Sequence, residues 1–196
     1  MPLTEYLTEG GSYEGFDIVE EDIDWCRRRI TSGHPNFNFR FADVYNKAYN
    51  PTGREQASGF RFPYAEGSFD FVFLVSVFTH MLPQDMEHYL SEIARVLRAG
   101  GTCLASFFLL SAEARRSIES GRSAMDFPHD FGPWRAMDPA VPEAAIAYDE
   151  AFLRGLYGRY GLRIEEPVHH GAWCGSEEAL AYQDVIVAAK IGGALA

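Results

Sequence analysis

Two aspartates and one histidine lie where predicted strands end, and their residue types suit chemistry. Asp17 and Asp43 each end a short segment with the pattern of a strand, and His80 comes shortly after the mostly apolar run Phe69–Val75. A carboxylate in such a position can accept charge-assisted hydrogen bonds from both hydroxyls of a ribose, and a neutral imidazole can take up a proton. The aspartates are also typical of helix caps and turns, so both interpretations stay open at this point.

The centre of the chain predicts a strand, a helix and a second strand. Phe69–Val75 is almost continuously apolar, which indicates a strand buried on both faces of a parallel sheet. Pro83 opens a helix with apolar residues at helical spacing, Gly100–Gly101 end it, and Cys103–Leu110 forms the next buried strand. Ligands of such sheets bind beyond the carboxyl ends of the strands, so Ser76–Met81 should lie at a binding crevice.

The flanking segments continue the alternation of strands and helices. Tyr13–Asp17 predicts a strand, Glu20–Ile30 a helix with acids at its start and arginines at its end, and the alternating aromatics before Asp43 another strand. Leu162–Val168 and Ala181–Lys190 predict the last two strands. We expect one domain over residues 1–196, with an inserted polar loop at 44–59 and a candidate lid at 121–147, where Pro, Gly and aromatic residues occur without period.

Composition narrows the classes of partner. The net charge of -11 argues against nucleic acid, because a protein that binds a phosphate backbone needs a basic face. No apolar run reaches the length of a membrane span, so we expect a soluble protein without a membrane partner. The three cysteines are far apart and suggest neither a disulfide framework nor a zinc site, which favours a cytoplasmic location and no metal.

Several motifs in order along the chain resemble one family. GFDI at Gly15–Ile18, Ala42–Asp43, the blocks at Ser68–Met81 and Tyr89–Gly101, and Gln183–Lys190 are similar to the class I S-adenosylmethionine-dependent methyltransferases of the type 11 group. The resemblance implies an α/β fold: a doubly wound, mostly parallel, Rossmann-like sheet with an antiparallel last strand. It also implies an enzyme that transfers a methyl group from S-adenosylmethionine, and a small-molecule acceptor is expected because the sequence has no basic patch.

The sequence departs from the family in one respect. The family's first strand and its glycine-rich loop, D-x-G-x-G-x-G, should precede the GFDI strand, and the 196 residues contain neither. Gly10–Gly11 cannot replace that loop, because they come before a strand rather than before a helix. In the absence of that central strand, we expect the strands at Tyr13–Asp17 and Phe69–Val75 to pair directly, with self-association as a homo-oligomer as a further expectation.

The resemblance assigns cofactor contacts to six residues. Asp17 matches the family residue that accepts the ribose hydroxyls, and Asp43 the one that accepts from the adenine amino group, while the backbone N–H of Val44 would reach a ring nitrogen. The full set consists of Asp17, Ile18, Asp43, Val44, Ser76 and Val77. Other interpretations are that Asp17 caps the next helix, that Asp43 is a turn residue and that Val77 belongs to the core.

His80 is the candidate catalytic residue. An oxygen or nitrogen acceptor must lose its proton during methyl transfer, and a neutral imidazole is a suitable base. His80 can equally cap the helix at Pro83 or pack against Tyr89. His129, Trp134 and Tyr148 are candidates for acceptor binding from the lid, with packing of the loop onto the domain as the alternative.

Two other classes of function compete with an active methyltransferase. One is a non-catalytic binding or subunit-like protein that keeps the scaffold without the cofactor loop. The other is a nicotinamide-dependent oxidoreductase, which would also place an acid after a strand but needs a G-x-G-x-x-G loop that the sequence lacks.

Overall fold

The computed structural model describes residues 2–8, 10–175 and 179–192. The chain divides into two compact units, Met1–Gln56 and Ala57–Ala196. Within the described ranges, no helix is long and apolar enough to cross a membrane.

The first unit contains a short helix α1 (Pro2–Tyr6), strand β1 (Tyr13–Asp17), helix α2 (Glu20–Cys26) and strand β2 (Phe37–Phe41). Acids fill the first turn of α2, where they complement the helix dipole, and the helix runs on into a wider π-helical turn. β1 and β2 are parallel neighbours and end in register, with Asp17 opposite Phe41. The acidic ends of both strands therefore lie at one edge of this two-stranded sheet.

The second unit contains strand β3 (Phe69–Leu74), helix α3 (Pro83–Val96) and strand β4 (Leu97–Phe107), the predicted strand, helix and strand. Buried side chains recur along one face of α3, which explains why it packs as a helix. β3 and β4 pair in parallel. The crossover and its parallel pair confirm the predicted strand, helix and strand. The expected burial of Phe69–Val75 on both faces is wrong, since Phe71 is 48% exposed and Val75 is 62% exposed.

The helix ends earlier than predicted, because strand β4 begins directly after it. Phe69 lies opposite Leu97 and Phe71 lies opposite Thr102, so the residues between Leu97 and Thr102 bulge out of the ladder. The Gly100–Gly101 pair lies in this bulge rather than at a helix cap, and Gly100 has a φ of 72°, which glycine adopts without strain.

Four further strands form a small second sheet in this unit, in the order β5-β8-β7-β6. They are β5 (Leu109–Leu110), β6 (His129–Asp130), β7 (Trp134–Ala136) and β8 (Ile146–Asp149). Helix α4 (Ala112–Glu119) follows β5, and helix α5 (Glu150–Arg159) follows β8. The candidate lid at 121–147 therefore contains regular structure, and its Phe127 is fully buried.

The last two strands are β9 (Leu162–Ile164) and β10 (Asp184–Lys190). They complete the main sheet in the order β3-β4-β10-β9, with β10 antiparallel to both of its neighbours. This arrangement confirms the antiparallel last strand and the α/β, Rossmann-like fold class.

The expected direct pairing of Tyr13–Asp17 with Phe69–Val75 is wrong. Among the described residues, β1 pairs with β2 and β3 pairs with β4, in separate sheets. Within the part of the chain that the structure describes, each of these two strands has one strand partner, on one edge, within its own sheet.

The three cysteines are free thiols. Cys26 is partly exposed in the first unit, whereas Cys103 and Cys174 are buried in the second. Burial raises the pKa of the Cys103 thiol to about 12.

Candidate active site

Three chain segments of the second unit meet at the carboxyl edge of its main sheet. Ser76 follows the end of β3, and Ser106 lies near the end of β4. Because β10 is antiparallel to β4, with Val185 opposite Ser106, the start of β10 also lies at this edge and brings Gln183 with it. Open α/β sheets bind their ligands at this edge.

Hydrogen bonds join these three residues. The Ser76 backbone N–H donates to the Ser106 hydroxyl over 2.8 Å, and that hydroxyl donates to Gln183 Oε1 over 2.6 Å. The Ser76 hydroxyl donates to the same amide oxygen over 3.1 Å. Among the described residues, Ser76 is the only one besides glycine with a positive φ, 56°. Such strained residues are concentrated at functional sites.

His80 lies in a short 3-10 turn, Phe78–His80, four residues beyond Ser76. Its Nδ1 is 2.9 Å from the backbone carbonyl oxygen of Glu143. A carbonyl can only accept, so Nδ1 carries the proton and the lone pair of the neutral ring is on Nε2. The partly exposed imidazole therefore has a fixed tautomer with its basic nitrogen on the far side of the ring.

The turn that carries His80 is anchored on both sides. Phe78 is fully buried and stacks on Phe107 with ring centroids 5.1 Å apart. The buried Tyr148 hydroxyl donates to the Met81 backbone carbonyl. These contacts hold the position of the imidazole, as an acid-base group requires.

In the first unit, Asp17 is exposed at the end of β1. Its Oδ1 accepts the backbone N–H of Val19 over 2.9 Å, which orients the carboxylate at the entry to α2. Ile18, next to it, is partly exposed. Asp17 does not cap α2, because the N-cap position is Val19 and it has no side-chain cap hydrogen bond, and the Asp17 carboxylate stays exposed.

Asp43 and Val44 have partners of their own. Arg54 donates to the Asp43 carboxylate, and this hydrogen bond lowers the pKa of Asp43. The Val44 backbone N–H donates to the Ala42 carbonyl over 2.8 Å, and Val44 is buried. Both predicted adenine contacts are therefore engaged within the first unit.

Sequence comparison decides the family. A family model described as a methyltransferase domain matches residues 2–105, more than half of the 196 residues. The chain belongs to this family. Its members use S-adenosylmethionine as the methyl donor. The family resemblance seen in the motifs, the enzyme class and the cofactor are therefore confirmed.

The methyltransferase also shares its fold with solved structures at low sequence identity. A SAM-dependent methyltransferase from Methanosarcina mazei is 22% identical, with a TM-score of 0.60 over 97% of this chain and 85% of that chain. Magnesium protoporphyrin IX methyltransferase from Synechocystis PCC 6803, with bound SAH, is 15% identical, with a TM-score of 0.56 over 96% and 67% of the two chains. A Burkholderia thailandensis enzyme with bound 1,6-didemethyltoxoflavin and S-adenosylhomocysteine is 17% identical, with a TM-score of 0.53 over 96% and 65%.

The three predicted acceptor residues of the methyltransferase have different surroundings. Trp134 is partly exposed on β7 and stacks on Phe131 with centroids 4.3 Å apart. His129 is partly exposed on β6, two strands from Tyr148 in the same sheet. Tyr148 has no exposed surface, and burial raises its pKa well above the ordinary value. Its hydroxyl stays protonated and holds the loop at Met81, so it supports the site from within.

A separate cleft of about 360 Å³ lies where β5 and β8 each lead into a helix. It is lined by Leu110, Ser111, Ala112, Arg115, Asp149, Glu150, Ala151 and Arg154. Arg115 pairs with Asp149 over 2.9 Å, and Arg154 pairs with Glu150 over 2.7 Å, so the positive charges are already balanced. Its size suits a small ligand, and none of the predicted acceptor residues lines it.

Sequence reasoning missed Gln183, Ser106 and the Glu143 carbonyl. Ser106 gave one signal, because it is a polar residue inside an apolar strand. Gln183 lies 77 positions from Ser106, and Glu143 lies 63 positions from His80, so only tertiary structure reveals these contacts. In the described ranges, no group of three or more His, Cys, Asp or Glu residues is arranged to hold a metal ion.

Proposed function

We propose that this methyltransferase methylates a small-molecule acceptor and that His80 is its general base. The observation that carries the proposal is the hydrogen bond from His80 Nδ1 to the Glu143 carbonyl, which selects the tautomer whose lone pair is on Nε2. Few side chains can accept a proton near neutral pH, and histidine is the usual one.

S-adenosylmethionine, when bound, supplies an electrophilic methyl group on a sulfonium. His80 Nε2 would take the proton of the acceptor hydroxyl or amine as that atom receives the methyl group. The Glu143 carbonyl stabilises the imidazolium, because its partial negative charge faces the Nδ1–H. The proton then passes to water, which restores the neutral ring.

For the cofactor, we propose Asp17 as the ribose contact, with Ile18 beside it and Ser76 and Val77 under the cofactor. The exposed Asp17 carboxylate supports this role: Oδ1 accepts from Val19, and the described residues provide no partner for Oδ2. A carboxylate oriented in this way can accept from a diol.

On the adenine side, we propose that Asp43 and Val44 act only after a local exchange of partners. Arg54 would have to leave the Asp43 carboxylate, and the Val44 N–H would have to leave the Ala42 carbonyl. These exchanges oppose binding, so weak affinity for the cofactor is expected.

Two observations support a small acceptor. The net charge of -11 repels nucleic acid, whose phosphate backbone is negatively charged. The Burkholderia neighbour holds 1,6-didemethyltoxoflavin, which is a small molecule. On the acceptor side, the exposed faces of Trp134 and His129 are the candidates for stacking.

A non-catalytic binding protein is the second candidate. It is favoured by the internal partners of Asp43 and Val44. Calorimetric titration with S-adenosylhomocysteine separates the two, because a protein that has lost the cofactor site releases no heat of binding.

The test of the cofactor site is Asp17→Ala, with Asp24→Ala as the matched control. Asp24 is also an acid of the first unit, with a side chain 47% exposed and paired with Arg27. Asp17→Ala should weaken S-adenosylhomocysteine binding about tenfold or more, whereas Asp24→Ala should leave it within about twofold. Equal affinities for Asp17→Ala and the wild type would remove Asp17 from the site.

The test of the base is His80→Ala, with His88→Ala as the control. His88 is another histidine of the second unit bonded to a backbone carbonyl, that of Phe60, over 3.0 Å. Transfer of tritiated methyl groups to a panel of small phenols and amines should fall about a hundredfold in His80→Ala and stay unchanged in His88→Ala. The dissociation constant of S-adenosylhomocysteine should be the same in all three proteins, and an unchanged rate in His80→Ala contradicts the assignment.

A further inference from the structure

Ser76 has a backbone conformation that serine rarely adopts. Its φ of 56° is in the left-handed region, where the Cβ of an L-residue crowds the neighbouring peptide. The left-handed conformation is less favourable for an L-residue than the right-handed one, by a factor of about five to thirty in population. A serine without support would therefore spend most of its time in another conformation. Something in the fold must therefore hold it.

The support comes from two residues distant in sequence. Ser106, only 3% exposed, accepts the Ser76 backbone N–H over 2.8 Å, which fixes the direction of that peptide group. Gln183 Oε1 accepts from both hydroxyls, over 3.1 Å from Ser76 and 2.6 Å from Ser106. One amide oxygen thus ties the ends of β3 and β4 to the start of β10.

We infer that Gln183 and Ser106 are positioning residues that hold the Ser76 backbone in its left-handed conformation for contact with the bound cofactor. This inference rests on the proposed function, in which Ser76 lies under the cofactor. The conformation of Ser76 also sets the direction in which the chain leaves β3, and the turn Phe78–His80 follows directly. The same network therefore orients the segment that carries His80.

A double-mutant cycle tests the inference. Gln183→Met removes the amide oxygen at a similar side-chain length, and Ser76→Gly allows the positive φ without strain. Calorimetry should show that Gln183→Met weakens S-adenosylhomocysteine binding about five- to tenfold when residue 76 is serine. In the Ser76→Gly background the same change should cost less than about twofold, because glycine needs no support.

Gln183→Glu is the conservative variant. Its carboxylate can accept from the same two hydroxyls, so affinity for S-adenosylhomocysteine should stay within about threefold of the wild type. The inference is overturned if Gln183→Met weakens binding equally in both backgrounds. It is also overturned if Gln183→Glu binds as weakly as Gln183→Met while urea unfolding shows it to be fully folded.

A measurement without ligand separates this inference from the proposed function. Urea unfolding should show that Ser76→Gly raises the midpoint more in the Gln183→Met protein than in the wild type, since only the former has lost its support. Equal shifts would overturn the positioning role. If the wild type fails to bind S-adenosylhomocysteine while the shifts differ, the proposed function fails and the conformational role of Gln183 stands.

Discussion

Replacing Asp184 with alanine should lower the free energy of unfolding by about 3 kcal/mol or more. Asp184 is 1% exposed and accepts three hydrogen bonds: from the backbone N–H of Leu109 over 2.6 Å, from that of Gly171 over 2.7 Å and from Trp173 Nε1 over 2.7 Å. Alanine leaves all three buried donors without a partner, and each such donor costs about 1–3 kcal/mol.

Asp184→Asn should cost about a third as much. One oxygen of the carboxylate accepts from Leu109 and Trp173, and the other accepts from Gly171. An asparagine can keep the first pair through its oxygen, but its NH₂ then faces the Gly171 N–H, so one donor is orphaned rather than three. The expected loss is about 1–3 kcal/mol.

The pH dependence gives an independent check. Burial raises the pKa of Asp184 above its ordinary value of 3.8, despite the donors around it. The folded state therefore holds this proton more tightly than the unfolded state. The contribution of Asp184 to the free energy of unfolding is greatest below pH 3.8 and is lost as the pH rises through the raised value. Asparagine does not titrate, so the part of the pH dependence of the free energy of unfolding that Asp184 causes should disappear in Asp184→Asn.

Urea unfolding followed by far-ultraviolet circular dichroism measures these free energies. The control is Asp126→Ala, an exposed acid whose removal should change the free energy of unfolding by less than about 0.5 kcal/mol. A loss of less than 1 kcal/mol in Asp184→Ala would refute the reasoning, because three orphaned donors cannot cost so little.

The remaining predictions concern two other buried contacts. Arg95→Met should lower the free energy of unfolding by about 2 kcal/mol in urea titrations. Arg95 donates hydrogen bonds to the backbone carbonyls of Phe62 and Tyr64 and to the Glu92 carboxylate, and methionine makes none of them. Hydrogen bonding by Arg95 lowers the pKa of Glu92. The ionised Glu92 therefore stabilises the folded state at neutral pH, and this contribution should be lost as the pH falls through the lowered pKa. In Glu92→Gln, the free energy of unfolding should lack this acid dependence. Tyr148→Phe removes the donor to the buried Met81 carbonyl and should cost about 1–2 kcal/mol in the same urea assay, with the far-ultraviolet spectrum unchanged.

The strands and the long helix could be predicted because their signals are local. Phe69–Leu74 is an apolar run interrupted only by Asp70, and α3 begins at a proline and repeats its buried face at helical spacing. The start of β4 at Leu97 could not be predicted, since no glycine or proline marks the boundary between helix and strand. The boundary is set by the pairing of Leu97 with Phe69.

The small sheet and the site contacts lack such signals. β6 and β7 are two and three residues long, too short for an alternating pattern to appear. His80 and Asp17 could be proposed as candidates from the sequence because reactive side chains there follow predicted strands. The partners that orient His80 and Ser76 come from elsewhere in the chain and are brought close by strand order alone.

The placement of the three thiols lets a disulfide reagent report local opening without an engineered label. Cys26 is partly exposed in the first unit, so a disulfide reagent can reach it in the native state. Cys103 and Cys174 are buried in the second unit, and the raised pKa of Cys103, about 12, leaves almost no reactive thiolate at neutral pH. Their slow modification therefore times the excursions in which the second unit exposes its interior. The reaction of Cys26 in the native state is therefore an internal reference, against which the slower reaction of Cys103 and Cys174 measures the opening of the second unit.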